Sequence, residues 1–236
     1  MDSLDDFLTT RPPTARRPLL GLTVLVVEDS RFACEALRLL CLRSGARIRR
    51  ADSLAHAHKH LNTYRPTVLI VDVGLPDGSG IDLIAACARA TPKIDVILGT
   101  SGDADAQTAV MLTGADGFIA KPISSLAEFQ GAILRHLPDD RQPLGPRLIS
   151  DEIVAPDLLA YRDDLNHVVS VIDGGTDHIG YVAQFLKGVA RSVHNDDLDT
   201  AASQLADKLA KGTSTEADLV ALGAMVQLRL EASGSL

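Results

Sequence analysis

Hydrophobic and polar positions alternate in two different ways along the chain. In the first part, short runs rich in Val, Ile and Leu separate longer stretches whose apolar residues recur at helical spacing. This alternation is typical of a parallel sheet that helices cover on both faces. We predict strands at Thr23–Val27, Arg47–Ala51, Thr67–Asp72, Asp95–Leu98 and Gly117–Ala120, with helices near residues 31–44, 54–63, 80–90, 105–113 and 124–137.

The pattern divides the chain into four regions. Residues 1–21 mix acidic, Thr-containing and Pro-rich pieces that do not sustain a core face, so we predict a flexible tail there. Residues 22–138 form the predicted α/β domain, and the prolines and glycine of residues 139–156 predict a linker. Residues 157–232 show helical spacing only, in four segments, which predicts a small all-α four-helix bundle.

The negative charge of the chain is concentrated in its C-terminal part. Residues 151–236 carry 6 Lys and Arg against 14 Asp and Glu, while residues 1–150 carry 17 of each. Binding to nucleic acid needs clustered Lys and Arg for phosphates, and base stacking needs aromatic side chains, which are only 3% of the residues. Both observations argue against nucleic acid as a partner.

The sequence gives no sign of a membrane segment. No apolar run approaches the roughly 18 to 20 residues that span a bilayer, and residues 1–6 lack the positive charge of a signal peptide. We therefore expect a cytoplasmic protein with no membrane partner. The cysteines form no C-x-x-C pair and are expected to be small buried residues; they are Cys34, Cys41 and Cys87.

Polar residues that can carry chemistry follow the predicted strands. Glu28 and Asp29 follow the first strand, and Asp72 ends the third. Ligands of an open parallel sheet bind beyond the carboxyl ends of its strands, and carboxylates gathered there suit a hard cation such as Mg²⁺. Thr100 and Lys121 follow the fourth and fifth strands, and a hydroxyl and an ammonium that face an aspartate can bind phosphoryl oxygens.

This set of residues resembles the receiver domain of two-component response regulators, over about residues 22–138. The matching positions occur in the order of that family and near its spacing: Glu28-Asp29, Asp72, the loop Leu75-Pro76-Asp77-Gly78, Thr100, Phe118 and Lys121-Pro122. The resemblance implies a flavodoxin-like, doubly wound α/β fold with five parallel strands in the order 2-1-3-4-5.

The resemblance also implies a role for each residue of the site. Asp72 would accept a phosphoryl group from the phosphohistidine of a sensor histidine kinase or a histidine phosphotransfer protein. The Mg²⁺ ion would be held by Glu28, Asp29, Asp72 and the backbone carbonyl of Gly74. Lys121 would offset the charge that builds up as the phosphoryl group moves. Thr100 and Phe118 would be the switch residues that respond to phosphorylation.

Three positions depart from the pattern of the family. Gly74 lacks the side chain that many receivers present two residues after the phosphoacceptor, where it tunes the lifetime of the acyl phosphate. Gly99 and Ser101 flank Thr100 and loosen the switch loop, and Phe118 lacks the hydroxyl of the more common tyrosine. None of them removes a group that phosphorylation requires, but the lifetime of the acyl phosphate stays open.

The second helical segment of the C-terminal part contains a short motif, residues 183–190 (AQFLKGVA). It resembles the A-H-x-L-K-G-x-A motif of histidine phosphotransfer domains, with Gln184 at the position of the phosphorylated histidine. Gln184, Lys187 and Gly188 share a helix face away from the apolar stripe, which would suit docking to a partner. A plain helical bundle with a chance match is the alternative, since glutamine does not carry a phosphoryl group.

The leading hypothesis is a signalling switch that acts through protein contacts of its helical domain. It would be no enzyme beyond its own phosphorylation and dephosphorylation. A phosphotransfer intermediate or phosphate sink is a second hypothesis, and a DNA-binding regulator is a third. An aspartate-nucleophile phosphatase would need a second Asp where Gly74 stands. The cognate kinase, the target of the helices and the oligomeric state, a homodimer included, stay open.

Overall fold

The computed structural model describes residues 12–103, 105–146, 148–175, 178–213 and 215–233. The elements are, in chain order, β1 (Thr23–Val27), α1 (Arg31–Ser44), β2 (Arg47–Ala51), α2 (Leu54–Thr63), β3 (Val68–Asp72), α3 (Gly80–Arg89), β4 (Val96–Ser101), α4 (Ala106–Leu112), β5 (Gly117–Ala120), α5 (Leu126–Leu134), α6 (Leu158–Asp173), α7 (Ile179–Ser192), α8 (Asp196–Ala210) and α9 (Glu216–Ser233). A two-stranded hairpin, Gly74–Leu75 with Gly78–Ser79, follows β3, and a 3-10 turn spans Asp139–Arg141.

The five strands form one parallel sheet in the order β2-β1-β3-β4-β5. The α/β fold and the strand order expected from the sequence are therefore confirmed. β3 and β4 are buried along their whole lengths, which is why each begins with a run of apolar residues in the sequence. β4 extends past its predicted end at Leu98 to Ser101, because residues 98–101 pair with β5.

Two apolar layers fix the sheet between its helices. On one face, α1 and α5 cover the strands through large buried side chains, among them Leu37, Leu40, Phe129 and Ile133. On the other face, α2, α3 and α4 contribute Ala57, Ile84 and Val110, among others. Because both faces of the central strands are covered, the edge at the carboxyl ends of the strands is where polar side chains can meet a ligand.

The predicted tail is too long at its C-terminal end. Leu19 is fully buried in the core beside α1 and α5, and its backbone N–H donates to the carbonyl of Ser44 at 3.0 Å. Leu19 and Leu20 directly follow two arginines and a proline, and this short segment shows no periodicity, so the sequence pattern gives no sign of the burial of Leu19. Residues 1–11 of the predicted tail lie outside the described residues.

The end of the predicted linker also packs on the α/β domain. Val154 is buried in the same core as Leu19, and its N–H donates to the carbonyl of Ser124 at 2.9 Å. The N–H of Leu126 donates to the carbonyl of Glu152 at 3.0 Å. The segment that leads into α6 is therefore attached to the start of α5.

The helices α6 to α9 share one apolar core. The fully buried residues include Leu165 of α6, Leu186 of α7, Leu205 of α8 and Val226 of α9. The predicted helical character of this region is confirmed. Among the described residues, no helix is both long and apolar enough to cross a membrane.

Candidate functional site

Three carboxylates meet at the carboxyl ends of β1 and β3. One oxygen from each of Glu28, Asp29 and Asp72 lies within 4.8 Å of the others. The parallel pairing of β1 with β3 produces this arrangement, because it aligns Val27 with Val71 and so brings the residues that follow them together. Glu28 and Asp72 are 1% and 7% exposed, so these carboxylates are nearly out of contact with water.

Lys121, which follows β5, binds this carboxylate group directly. Its Nζ lies 2.7 Å from Oε2 of Glu28 and 3.2 Å from Oδ2 of Asp72, and its side chain is 5% exposed. Burial alone would lower the pKa of Lys121, but the negative charges of Asp72 and Glu28 outweigh burial and raise it. Lys121 is therefore a fixed positive charge beside Asp72.

Burial makes the charged form of each carboxylate unfavourable. It raises the pKa of Glu28 well above the ordinary value and raises that of Asp72, and in both cases Lys121 opposes the effect. It also raises the pKa of Asp29 to about 7, with the charge of Asp72 as the next cause. One lysine does not balance three carboxylates, so a divalent cation between them would relieve the remaining repulsion.

Thr100 and Phe118 lie on the strands next to Asp72. Thr100 is the register partner of Asp72 in the β3–β4 pair, and its side chain is fully buried. Within the described part of the chain, its hydroxyl has no hydrogen-bond partner. Phe118 pairs with Gly99 in the next strand and packs, partly buried, against the core on the α4 face. The structure thus places both predicted switch residues on the side of Asp72 that faces β5.

The C-terminal helices contact the loops that carry this site. On α7, Tyr181 donates a hydrogen bond of 2.7 Å to Oδ2 of Asp29. On α6, Asp164 accepts from the hydroxyl of Ser30 at 2.7 Å and from the N–H groups of Arg31 and Phe32 at 2.7 and 3.1 Å. Asp164 therefore binds the positive N-terminal end of α1, directly after the acidic pair.

The second set of contacts comes from Gln184 and Lys187 of the α7 motif and from Arg191, which follows the motif. Lys187 pairs with Asp103 at 3.2 Å, and Arg191 donates to the carbonyl of Gly102. The side chain of Gln184 lies against Gly74, two residues after Asp72. The partner that these helix residues contact is thus the α/β domain of the same chain. A cavity of about 280 Å³ remains between α7 and the carboxylates, and Asp72, Lys121 and Gln184 are among its lining residues.

Sequence reasoning identified the five strand-end residues that come together, and it missed the residues that bind them from the helices. Asp164 and Tyr181 show no motif, and Arg191 was not singled out. The one available signal was the cluster of polar residues on a single face of α7, which includes Lys187 and extends one turn to Arg191. His167, on α6, lies 2.9 Å from the hydroxyl of Tyr181 and belongs to this contact layer.

Comparison with known proteins identifies the α/β domain. Residues 24–133 match the family model described as response regulator receiver domain. Residues 24–133 form a response regulator receiver domain. The resemblance seen in the strand-end residues is therefore confirmed for this domain, and the match ends before α6.

The relatives match less than half of the chain. The virulence transcriptional regulatory protein PhoP of Salmonella typhimurium is 31% identical over 102 residues, which are 43% of this chain and 46% of PhoP. The KDP operon transcriptional regulatory protein KdpE of Escherichia coli is 30% identical over 117 residues, 48% of this chain and 52% of KdpE. The chain thus spans about half the length of the curated relatives it matches.

A solved structure from Chloroflexus aurantiacus, assigned as a response regulator, is 30% identical. It covers 48% of this chain and 98% of its own, with a TM-score of 0.44.

Proposed function

We propose that this chain is a cytoplasmic response regulator that accepts a phosphoryl group on Asp72 from a phosphohistidine donor and signals through contacts of its C-terminal helices with another protein. The observation that carries the proposal is the position of Asp72, buried at the carboxyl end of β3 between Glu28, Asp29 and the ammonium of Lys121.

The proposed reaction is a phosphoryl transfer from nitrogen to oxygen. A carboxylate oxygen of Asp72 attacks the phosphorus, the N–P bond of the phosphohistidine breaks, and the imidazole nitrogen keeps the electron pair and takes up a proton. The product is an acyl phosphate on Asp72, which water later hydrolyses to carboxylate and inorganic phosphate. The chemistry is confined to the chain's own aspartate, so the chain is no enzyme toward other substrates.

The carboxylate set fits a divalent cation. Burial raises the pKa values of Glu28, Asp29 and Asp72, so their charged forms would be favoured by a further positive charge, and Mg²⁺ prefers such oxygen ligands. We assign the ion to these three side chains and to the backbone carbonyl of Gly74. When bound, it supplies positive charge that offsets the charge of the phosphoryl oxygens.

The remaining residues bind and sense the phosphoryl group. The Nζ of Lys121, already 3.2 Å from Asp72, stabilises the negative charge of the incoming oxygens. The unpaired hydroxyl of Thr100 is the donor that can bond a phosphoryl oxygen, and Phe118 then moves into the space that Thr100 leaves. Both are switch residues in this proposal, because their movement would carry the signal toward β5 and the helices beside it.

The output of the C-terminal helices is protein contact in this proposal. The relatives PhoP and KdpE are named transcriptional regulatory proteins, so a DNA-binding output is one alternative. The acidic residues of 151–236, which outnumber the basic ones 14 to 6, argue against it because phosphates would be repelled. A phosphotransfer intermediate or phosphate sink is the other alternative, and a rapid onward transfer from Asp72 to a histidine protein would favour it.

Phosphotransfer from a protein donor tests the proposal. The full chain is mixed with a radiolabelled, histidine-phosphorylated phosphotransfer domain and Mg²⁺, and the label on the chain is followed on gels. We expect labelling of the wild type and of the control Asp82→Asn, and none for Asp72→Asn or with EDTA. Equal labelling of Asp72→Asn would overturn the proposal. Tight, salt-sensitive binding of the full chain to duplex DNA would overturn the protein-contact output.

A further inference from the structure

Helices α6 and α7 cover all three loops that surround Asp72. Asp164 binds the loop after β1, Gln184 lies on the loop after β3, and Lys187 and Arg191 bind the loop after β4. A protein that delivers a phosphoryl group to Asp72 has to approach through the same three loops, since the other sides of Asp72 are enclosed by the sheet and its helices. The chain's own helices therefore lie on the surface that a donor needs.

Two glycines of the receiver domain make this close approach possible. A Cβ atom at Gly74 would lie 2.5 Å from Nε2 of Gln184, and a Cβ at Gly102 would lie 3.0 Å from the Cα of Gly188. Both glycines stand two residues after a site residue, Asp72 and Thr100, at the rim of the acceptor pocket. A Cβ at Gly74 would force the Gln184 side chain to move, and a Cβ at Gly102 would press on the backbone of α7, so the absence of side chains here lets α7 lie close to the rim.

The contacts that hold α6 on this surface are buried and polar. Asp164 is 1% exposed, and burial raises its pKa, against which the hydrogen bonds from Ser30, Arg31 and Phe32 act. Movement of α6 away from the receiver domain would break all three of these hydrogen bonds. The bonds of Asp164 therefore oppose the separation of the helices from the receiver domain. The neighbouring pair between Arg31 and Asp163 is exposed and contributes little.

We propose that α6 and α7 cover the surface on which a phosphohistidine protein has to dock, with Gln184 at the mouth of the acceptor pocket. The helices and the phosphohistidine protein therefore compete for one site. This inference rests on the proposed function and adds regulation to it. A protein donor reaches Asp72 only in chains whose helices have moved off, whereas a small phosphoryl donor can enter the 280 Å³ cavity with the helices in place. Anything that holds the helices elsewhere, such as the partner of the output, increases phosphorylation by the donor.

The experiment compares a large and a small donor on the full chain. The large donor is a histidine-phosphorylated phosphotransfer domain, the small donor is acetyl phosphate, and both are used with Mg²⁺. The readout is the ratio of the two initial rates of Asp72 labelling, which cancels any direct effect of a substitution on the acceptor chemistry.

Two variants release the helices by independent means. Asp164→Ala removes the buried bonds to the start of α1, and Gly102→Leu places a side chain against the backbone of Gly188. We expect each to raise the ratio about tenfold, the size of a typical coupling between sites. The matched control is Asp163→Ala, the exposed neighbour of Asp164, which should not change the ratio.

The outcomes separate the inference from the function on which it rests. Circular dichroism first confirms that each variant is folded. If wild type and variants are labelled at Asp72 with the same ratio, the competition is wrong and the proposed function stands. If neither donor labels Asp72 in any of the proteins, the proposed function fails and the inference fails with it.

Discussion

Tyr181 of α7 donates a hydrogen bond of 2.7 Å to Asp29, one of the three clustered carboxylates of the receiver domain. The bond joins a helix outside the family match to a residue that we assign to the cation site. His167 contacts the same hydroxyl at 2.9 Å, so Asp29, Tyr181 and His167 form a polar chain across the interface. The conformation of the helices and the state of the acidic site are therefore physically linked.

Removal of the Tyr181 hydroxyl tests this link. In Tyr181→Phe the ring stays and the bond to Asp29 is lost, so we expect the free energy of unfolding to fall by about 2 kcal/mol, typical of a bond to a charged group. Urea denaturation of the Mg²⁺-free protein at pH 8, where Asp29 with its pKa of about 7 is charged, gives the value. Tyr161→Phe is the control, because the buried Tyr161 hydroxyl donates to no carboxylate of the described residues; an equal loss in both variants would contradict the role of the Asp29 bond.

The acidic cluster makes the stability of the cation-free protein depend on pH. Asp29 has a pKa of about 7 in the folded chain and about 3.9 when unfolded, so between these values the folded state binds more protons. The ionisation of Asp29 therefore lowers the free energy of unfolding as the pH rises from about 4 to about 7. We expect Asp29→Asn to reduce the fall in melting temperature between pH 5.5 and pH 7.5 in EDTA. An unchanged pH dependence would show that Asp29 is charged throughout this range.

Lys121 is expected to stabilise the fold as well as the reaction. Lys121→Gln leaves Glu28 and Asp72 buried without their positive partner, so we expect a loss of about 3 kcal/mol in the free energy of unfolding near pH 7.5. Saturating Mg²⁺ should restore part of this loss, because the ion supplies the missing positive charge. Chemical denaturation with and without Mg²⁺ measures both effects. The exposed Lys93→Gln is the control, and a loss as large there would argue against the buried pairs.

The burial of Leu19 gives a test of the N-terminal segment. Leu19→Ala removes a fully buried side chain from the core beside α1 and α5, so we expect a loss of roughly 2 to 5 kcal/mol in the free energy of unfolding. Leu42→Ala, at a residue that is 56% exposed, should change it by less than about 0.5 kcal/mol. Similar values for the two variants would show that the segment before β1 does not belong to the core.

Much of the receiver domain could be predicted from the sequence, because the signals for its strands, helices and site residues lie within short segments of the chain. The central strands β1 and β3 are mainly apolar, and the acidic residues stand at or directly after their ends, so the parallel pairing of these strands brings Glu28, Asp29 and Asp72 together. Lys121 follows the edge strand β5, two strands from β3, and its long side chain reaches Asp72 all the same. Strand ends and helix spacing were enough for these predictions.

The interface between the two parts could not be predicted in the same way. Asp164 and Ser30 are 134 residues apart, and nothing local in either segment indicates that they meet. Gly74 and Gly102 have no side chain that would show a pattern, and their role depends on how closely α7 approaches. The burial of Leu19 likewise depends on a surface formed by α1 and α5. Such features require the tertiary structure.

Phosphorylation of Asp72 is the central event of the proposed function, and it can be measured directly. The full chain is incubated with acetyl phosphate and Mg²⁺, and mass spectrometry of the intact protein and of its peptides measures the added phosphoryl groups and their position. We predict one phosphoryl group per chain, on the peptide that contains Asp72, and none in Asp72→Asn or in EDTA. A wild-type chain that gains no phosphoryl group, or gains one elsewhere, would contradict the account.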